Sequence, residues 1–276
     1  MNSIKFHLIF SWLILSLCFF SGCRNSTDST NSPPGSASNT SRSTDARGEQ
    51  IVAAYLKEDA SEFRKSRLRF TITSENEPAE VYEVEVWRKQ TENEIKTLSH
   101  IVKPIEDSDL SSLAVQVEDK DTTLTSYVNS TGQFRETKGN KSFFGGIPAE
   151  ELLGEWAKYD YRYVGEKNLN GADVSEIEGK LKPGKRLIAA RMTAFFRADN
   201  NLPAELHLFG SDEKELRVFR IKDYQAAAGR NYVSKMEIEN SINKTRVLVE
   251  VLSMDFPKQI DDSVFTREQL KKNAGK

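Results

Sequence analysis

Three features of the 276-residue sequence predict a β-rich α+β fold, an antiparallel meander with few helices. First, apolar and polar residues alternate over most of positions 68–255, which is the period of half-buried strands. Leu68, Phe70 and Ile72, for example, stand between Arg and Thr residues. Second, turn-forming segments such as 129–132 separate several of the strand candidates. Third, one short amphipathic helix lies between two strand regions.

The first 23 residues have the pattern of a bacterial export signal. Lys5 supplies a positive charge, and residues 8–20 are apolar but too few for a membrane span, which needs about 20. Two small residues precede Cys23, an order that resembles a lipobox. We therefore expect residues 1–22 to be a lipoprotein signal peptide and Cys23 to be lipidated. The alternative is an ordinary signal peptide with an incidental cysteine.

The composition of residues 23–48 predicts a disordered tether, because this segment is rich in Ser, Thr and Asn and has too few apolar side chains to fold. The remaining residues 49–276 are enough for one large domain. That domain is expected to open with a helix over 49–63, where apolar residues recur at helical spacing. Cys18 and Cys23 are the two cysteines of the sequence, so no disulfide or thiolate metal site is expected in the folded part.

Residues 142–164 predict a turn, a short helix and a strand, which together would place a lid over the sheet. Gly145 and Gly146 allow positive φ angles, and Pro148 suits the first position of a helix. Apolar residues then recur at helical spacing and afterwards alternate with polar ones: Leu152, Leu153 and Trp156, then Tyr159, Tyr161 and Tyr163. The alternative is an ordinary helix in a packed core.

This region and two later segments resemble the outer-membrane lipoprotein-sorting proteins, the LolA/LolB-like carriers. The segments are Ser142-Phe143-Phe144-Gly145 with Glu151-Leu152-Leu153 and the tyrosine-rich strand, the strand–turn–strand at 195–204, and the closing Asp, Val-Phe-Thr segment at 261–266. The resemblance covers roughly residues 80–272.

The resemblance implies a strongly curved antiparallel sheet, a half-barrel of about eleven strands with short helices covering its concave face. It also implies that the concave face holds acyl chains of lipoproteins or another amphiphile. The residues expected to line this cavity or its lid are Phe70, Trp87, Phe143, Phe144, Leu152, Trp156, Phe195 and Phe196. For each of them, the alternative is ordinary core packing.

No catalytic, metal or cofactor site is expected. His7 lies in the signal, and His100 and His207 lie in separate strand candidates. The sequence contains no Gly-x-Ser-x-Gly elbow, no His-Glu-x-x-His pair and no phosphate loop. With 39 Lys and Arg against 41 Asp and Glu, and no basic block, nucleic-acid binding is not expected either. A binding protein rather than an enzyme is therefore predicted.

The expected partners are lipids or lipidated proteins, a membrane that holds an N-terminal acyl anchor, and a periplasmic protein. Arg24 follows Cys23. Since an Asp at that position marks inner-membrane retention in enteric bacteria, the outer membrane, facing the periplasm, is favoured. The predicted role is in lipoprotein sorting or envelope lipid transport. The alternative is an envelope-stress sensor or regulatory interaction protein on the same fold, without carrier activity.

Overall fold

The computed structural model describes residues 37–59, 61–107, 109–117, 120–138 and 144–274. The expected signal peptide, the lipidated Cys23 and the lid residue Phe143 lie outside these ranges. The same holds for the expected tether up to residue 36. No helix in the described part of the chain is both long and apolar enough to cross a membrane.

Three helices and thirteen strands form the described chain. The helices are α1 (Ala37–Asp59), α2 (Ala149–Leu153) and α3 (Arg267–Asn273). The strands are β1 (Phe63–Ser74), β2 (Glu80–Gln90), β3 (Glu94–Lys103), β4 (Leu110–Val117), β5 (Thr123–Val128), β6 (Gln133–Lys138), β7 (Tyr159–Leu169), β8 (Ala172–Leu181), β9 (Arg191–Arg197), β10 (Pro203–Phe209), β11 (Glu215–Ala227), β12 (Arg230–Asn240) and β13 (Thr245–Asp255). They form one antiparallel sheet in the order β6-β5-β4-β3-β2-β1-β13-β12-β11-β10-β9-β8-β7.

The sheet is open but strongly curled, which confirms the predicted fold class. Strands β6 and β7 are its edges, and with about 4.8 Å between neighbours a flat sheet would hold β5 and β7 roughly 50 Å apart. Instead Thr122, directly before β5, donates a hydrogen bond to the carboxylate of Glu155, which lies shortly before β7. The sheet is therefore a half-barrel whose two edges approach each other at this end.

Alternate side chains divide each strand between two faces of the sheet. One face carries Phe70 and Val84 and packs against α1 and the segment before β7 in a single large apolar cluster; we call it the inner face. The opposite, outer face carries Trp87 and Leu98 and packs against α3 and the turn that precedes it. The apolar residues of the inner face come from β1 to β4 and from β7 to β13, so this face is the larger core.

Three details differ from the sequence prediction. The sheet has thirteen strands rather than about eleven. Helix α1 begins at Ala37 instead of Glu49 and ends before Phe63, which starts β1 and packs on the outer face. Helix α3 covers the outer face, whereas the prediction places the short helices on the concave face.

Candidate functional site

The lid is the segment 144–158, which joins β6 to β7 and so connects the two edges of the sheet. It consists of a 3₁₀ turn at Phe144–Gly146, helix α2 and a second 3₁₀ turn at Trp156–Lys158. Because the chain leaves one edge strand and enters the other, the lid passes across the inner face. Three anchors hold it there.

The first anchor is the ring of Phe144. It stacks on Phe70 of β1, with 4.5 Å between the ring centroids, and lies 5.1 Å from the ring of Tyr82 on β2. Burial, and then the nearby Glu80 carboxylate, raise the pKa of Tyr82 to about 12. The phenol is therefore protonated at neutral pH and donates a hydrogen bond of 3.2 Å to Glu80.

The backbone beside this ring is bonded to the adjacent strands β12 and β13. The carbonyl oxygen of Gly145 accepts hydrogen bonds from Asn240 Nδ2 at 2.9 Å and from Thr245 Oγ1 at 2.8 Å. Gly145 has a φ of 63°, and a Cβ at this position would lie 2.4 Å from Val247 Cγ2. Only glycine combines this conformation with so close an approach, which explains the residue type.

The second anchor is a buried ion pair between α2 and β11. Glu151 Oε1 accepts a hydrogen bond of 2.8 Å from Arg217 Nη1, and the two side chains are only 8% and 3% exposed. Burial lowers the pKa of Arg217, and the charge of Glu151 acts in the opposite direction. In such a pair each charge needs the other, because removing one leaves its partner buried and uncompensated.

The third anchor is Trp156 at the end of the lid. Its ring lies 5.6 Å from Tyr55 of α1 and 6.1 Å from Phe196 of β9, measured between centroids. Its carbonyl oxygen accepts a hydrogen bond of 2.6 Å from the Tyr161 hydroxyl. Burial is also the main reason that the pKa of Tyr161 is raised, so this hydroxyl remains a donor.

Helix α1 covers the edge strand β7 and contributes to the inner face. The backbone N–H of Tyr161 donates to Glu49 Oε1 at 2.9 Å, which satisfies an edge group that no further strand pairs. The guanidinium of Arg47 lies 3.7 Å from the ring centroid of Tyr163. Val52 reaches the inner cluster and is 2% exposed. Helix α1 therefore already contacts β7 at Arg47, before the predicted helix start at Glu49.

Replacing Gly48 by Ala is expected to displace α1 from β7. The new Cβ would lie 2.7 Å from the backbone nitrogen of Tyr163, and a strand backbone cannot move aside. The amide of Tyr161 should then exchange its hydrogen at least about tenfold faster. Gly165→Ala, on β7 itself, is the matched control, since the new Cβ would meet nothing within 4 Å. Equal exchange in both variants would contradict this account of the α1 contact.

The structure brings five of the eight predicted site residues together on the inner face. They are Phe70, Phe144, Leu152, Trp156 and Phe196. Trp87 instead stacks on His100 on the outer face, with 5.3 Å between centroids. Phe195 also lies on the outer face, edge-on to the ring of His207. Adjacent residues of a strand point to opposite faces, so Phe195 and Phe196 cannot line one cavity, and the prediction for Phe195 and Trp87 is wrong in its choice of face.

Sequence reasoning missed the charged members of the site. Arg217 lies two residues before Phe219 on β11 and therefore on the same, inner face. A charged residue at an otherwise apolar position of the alternating pattern is the feature of the sequence that could have revealed it. Its partner Glu151 was noticed only as part of a motif. In the described ranges, no three His, Cys, Asp or Glu side chains are placed to hold a metal ion. The site is therefore the apolar inner face, covered by a lid that a few hydrogen bonds and one ion pair hold in place.

Residues 93–272 of the chain match the model of a family described as "Uncharacterized protein". No curated protein sequence matches the chain at a significant level. The fold, by contrast, has clear relatives among solved structures.

Three solved structures are similar to the half-barrel. A DUF1329 family protein from Desulfovibrio piger is 17% identical with a TM-score of 0.77, covering 82% of this chain and 99% of its own. An outer membrane lipoprotein-sorting protein domain from Vibrio parahaemolyticus is 13% identical with a TM-score of 0.76 and the same coverage. A LolA superfamily protein from Nitrosomonas europaea is 11% identical with a TM-score of 0.63, covering 80% of this chain and 98% of its own. Likeness at such identities concerns the fold alone.

Proposed function

Since the chain belongs to a family described as "Uncharacterized protein" and has the LolA-like fold, we propose that it is a membrane-anchored envelope protein that binds acyl chains beneath its lid. The ligand would be the acyl chains of lipidated proteins or another amphiphile. The role would be in lipoprotein sorting or in lipid transport across the envelope, and the proposal involves no enzymatic step.

The observation that carries this proposal is a lid laid across a large apolar face. A 16-carbon acyl chain loses about 12 kcal/mol when it leaves a bilayer, at about 0.8 kcal/mol per CH₂. To offset that loss, a carrier has to remove about 480 Å² of apolar surface from water, at about 25 cal/mol per Å². The aromatic and aliphatic side chains of the inner face and lid are of the kind needed.

Ligand entry would exchange lid contacts for ligand contacts. Inner-face residues such as Ile177, Phe196 and Ile238 are 0% exposed while the lid is seated. An acyl chain can reach them if Phe144, Leu152 and Trp156 move away. The lid side chains and the ligand would thus compete for the same apolar surface, which makes opening and loading one step.

Anchoring and location are part of the proposal. Cys23 would carry the acyl anchor, and the residues between it and α1 would be the tether. The name of the Vibrio parahaemolyticus relative supports an outer-membrane role. A carrier anchored in this way would act as an acceptor at its own membrane.

Contact quenching by a brominated fatty acid tests the proposal, with bromine placed near the middle of the acyl chain. The chain has three tryptophans, Trp12, Trp87 and Trp156. In the Trp12→Phe/Trp87→Phe variant, we expect the ligand to quench Trp156 strongly and saturably, since this ring belongs to the lid. A diacylated lipopeptide should then displace the brominated acid if lipidated proteins are ligands.

The matched control is the Trp12→Phe/Trp156→Phe variant, in which Trp87 reports from the outer face. Its fluorescence should not respond. Equal quenching of both tryptophans would mean non-specific adsorption and would contradict the proposal. If neither responds, the sensor or interaction role on the same fold becomes the better explanation.

A further inference from the structure

The inner face is apolar over most of its area but polar where strands β3 to β6 form it. The inward side chains of these strands lie in two neighbouring cross-strand rows, with a glutamine beyond the second row. Val86 of β2 pairs with Ser99 in the first row and packs against the large inner cluster, which places both rows on the inner face. We call the polar residues of β3 to β6 on this face the polar patch: Ser99, Ser112 and Ser126 in the first row, Thr97 and Thr137 in the second, and Gln116.

Three polar atoms of the patch are buried without a partner. Thr97 Oγ1, Gln116 Oε1 and Thr137 Oγ1 make no hydrogen bond with any described residue. Thr97 and Gln116 are each only 9% exposed. Thr97 pairs with Ala114, two residues before Gln116 on β4, so the two side chains are diagonal neighbours on one face. Buried polar groups normally have partners, so these neighbours point to a ligand that supplies them.

The charges beside the patch are of both signs. Thr122 lies next to Gln116, one position beyond the last pair of β4 and β5. Its hydroxyl donates to the carboxylate of Glu155, which is 11% exposed and lies 3.3 Å from Lys158 Nζ. Arg88 of β2 extends the second row. An anion at the patch would meet the buried carboxylate and a cation would meet the two basic groups, so the surroundings favour an uncharged ligand group.

A hydroxyl is the uncharged group that suits the two unpartnered neighbours. It can donate a hydrogen bond to Gln116 Oε1 and also accept one from the Thr97 hydroxyl. An ester oxygen can only accept, so it would leave Gln116 Oε1 without a partner. Diagonal neighbours in a sheet are about 7–8 Å apart at their backbones, a span that adjacent hydroxyls of one small headgroup can bridge. The patch therefore favours a headgroup with free hydroxyls.

The polar patch adjoins the apolar part of the same face. On the other side of the first row lie Leu68, Val84 and Ile101, which form part of the large inner cluster. Successive inward-facing rows are about 7 Å apart, since each is two residues along the strand from the last. One amphiphile of ordinary size can therefore touch both regions at once, with its head on the patch and its acyl chain on the apolar rows.

We propose that the polar patch binds the uncharged, hydroxyl-bearing headgroup of a neutral glycerolipid whose acyl chain occupies the apolar part of the inner face. This inference rests on the proposed function and names the ligand class. The glycerol hydroxyls donate to Gln116 Oε1 and accept from Thr97. Without the lipid, these two buried groups have no partner in the described part of the chain.

Competition against the brominated fatty acid, read at Trp156 in the Trp12→Phe/Trp87→Phe variant, tests the inference with two ligands. Monododecanoylglycerol has free hydroxyls, whereas methyl dodecanoate has the same acyl chain and ester but none. Thr97→Val and Gln116→Leu are then added together. We expect them to weaken binding of monododecanoylglycerol about tenfold more than binding of methyl dodecanoate, because only the glycerol loses hydrogen bonds.

The ratio of the two affinities is the measured quantity, so a change that affects the acyl chain alone cancels. Thr125→Val is the matched control: this residue is 8% exposed on the outer face, and its replacement should change the ratio by less than about twofold. If the double replacement prevents folding, Thr97→Val alone, which keeps the side-chain shape, should still change the ratio about threefold.

Thermal unfolding without ligand gives a second readout. Thr97→Val should unfold at a temperature no lower than that of wild type, because it removes a buried hydroxyl without a partner. A lower unfolding temperature would mean that this hydroxyl is already hydrogen-bonded in the free protein, and the inference would then be wrong.

The outcomes separate the two proposals. If the replacements weaken both ligands equally, the headgroup assignment is wrong while acyl binding stands. Dodecyl phosphate, which has a similar chain and an anionic head, is the third ligand. If its binding depends on Thr97 and Gln116 more than that of monododecanoylglycerol does, the patch serves an anion and the neutral lipid is the wrong assignment. If neither dodecanoyl ligand binds before the replacements are made, acyl binding fails and the headgroup assignment fails with it.

Discussion

Replacing Arg217 by Met is expected to destabilise the folded protein by about 3–5 kcal/mol, because the buried carboxylate of Glu151 would lose the guanidinium with which it pairs. The loss should be concentrated at the lid, since Glu151 belongs to α2. Urea unfolding followed by Trp156 fluorescence measures both effects. We expect a lower midpoint and a red-shifted emission before the main transition.

Two further variants make this result specific. The double variant Glu151→Met/Arg217→Met should recover most of the loss, since two apolar side chains can replace a buried pair. Arg220, on the same strand as Arg217, forms more exposed ion pairs with Glu239 and Glu205, so Arg220→Met should cost less than about 1 kcal/mol. If Arg217→Met behaves like Arg220→Met, the buried pair does not hold the lid.

Replacing Phe196 by Ala is expected to cost about 3–5 kcal/mol, through lost apolar contact and a cavity beneath the lid. Phe196 is 0% exposed and contacts both Tyr55 and Trp156, so α1 and the lid both lose a partner. The variant should also bind the brominated fatty acid more weakly than wild type, because one wall of the proposed site is missing. Chemical denaturation and fluorescence titration measure the two effects.

Phe195→Ala provides the comparison at the adjacent position. Phe195 is only half-buried, and its ring contacts His207 on the outer face. We expect it to cost about 1 kcal/mol and to leave ligand affinity unchanged. Equal losses for Phe195 and Phe196 would contradict the assignment of faces on β9.

Much of the fold follows from the period of two in the sequence. Strand β9 shows where this pattern stops being informative: it contains Phe195 and Phe196 side by side, and both look suited to an apolar cavity. Which one faces inward depends on the register of β9 with β8 and β10. That register is set by contacts between residues far apart in the sequence, so the alternation within β9 cannot reveal it. The same ambiguity explains Trp87, since the helix that covers it lies far along the chain.

Helix α1 illustrates a second limit. Its first turns are polar and carry little helical signal of their own, so composition predicts a tether. The helix they belong to lies against the edge of β7 farther along, where Gly48 permits close approach and Glu49 accepts a backbone hydrogen bond. Tertiary contact thus overrides local composition, as it does for Arg217, whose placement on the inner face makes sense only once Glu151 is opposite.

The strand order divides the protein into two consecutive meanders, β1 to β6 and β7 to β13, that meet in the sheet only along β1 and β13. The peptide connection between them is the segment that contains the lid. The lid therefore belongs to the only chain connection between the two meanders, so a movement of the lid is transmitted to both β6 and β7. If that connection were cut, the β1–β13 pairing, from Lys65–Asp255 to Ser74–Thr245, would still join the halves. The two halves are therefore held together at two places, by the lid and by the strand pair at the centre of the sheet.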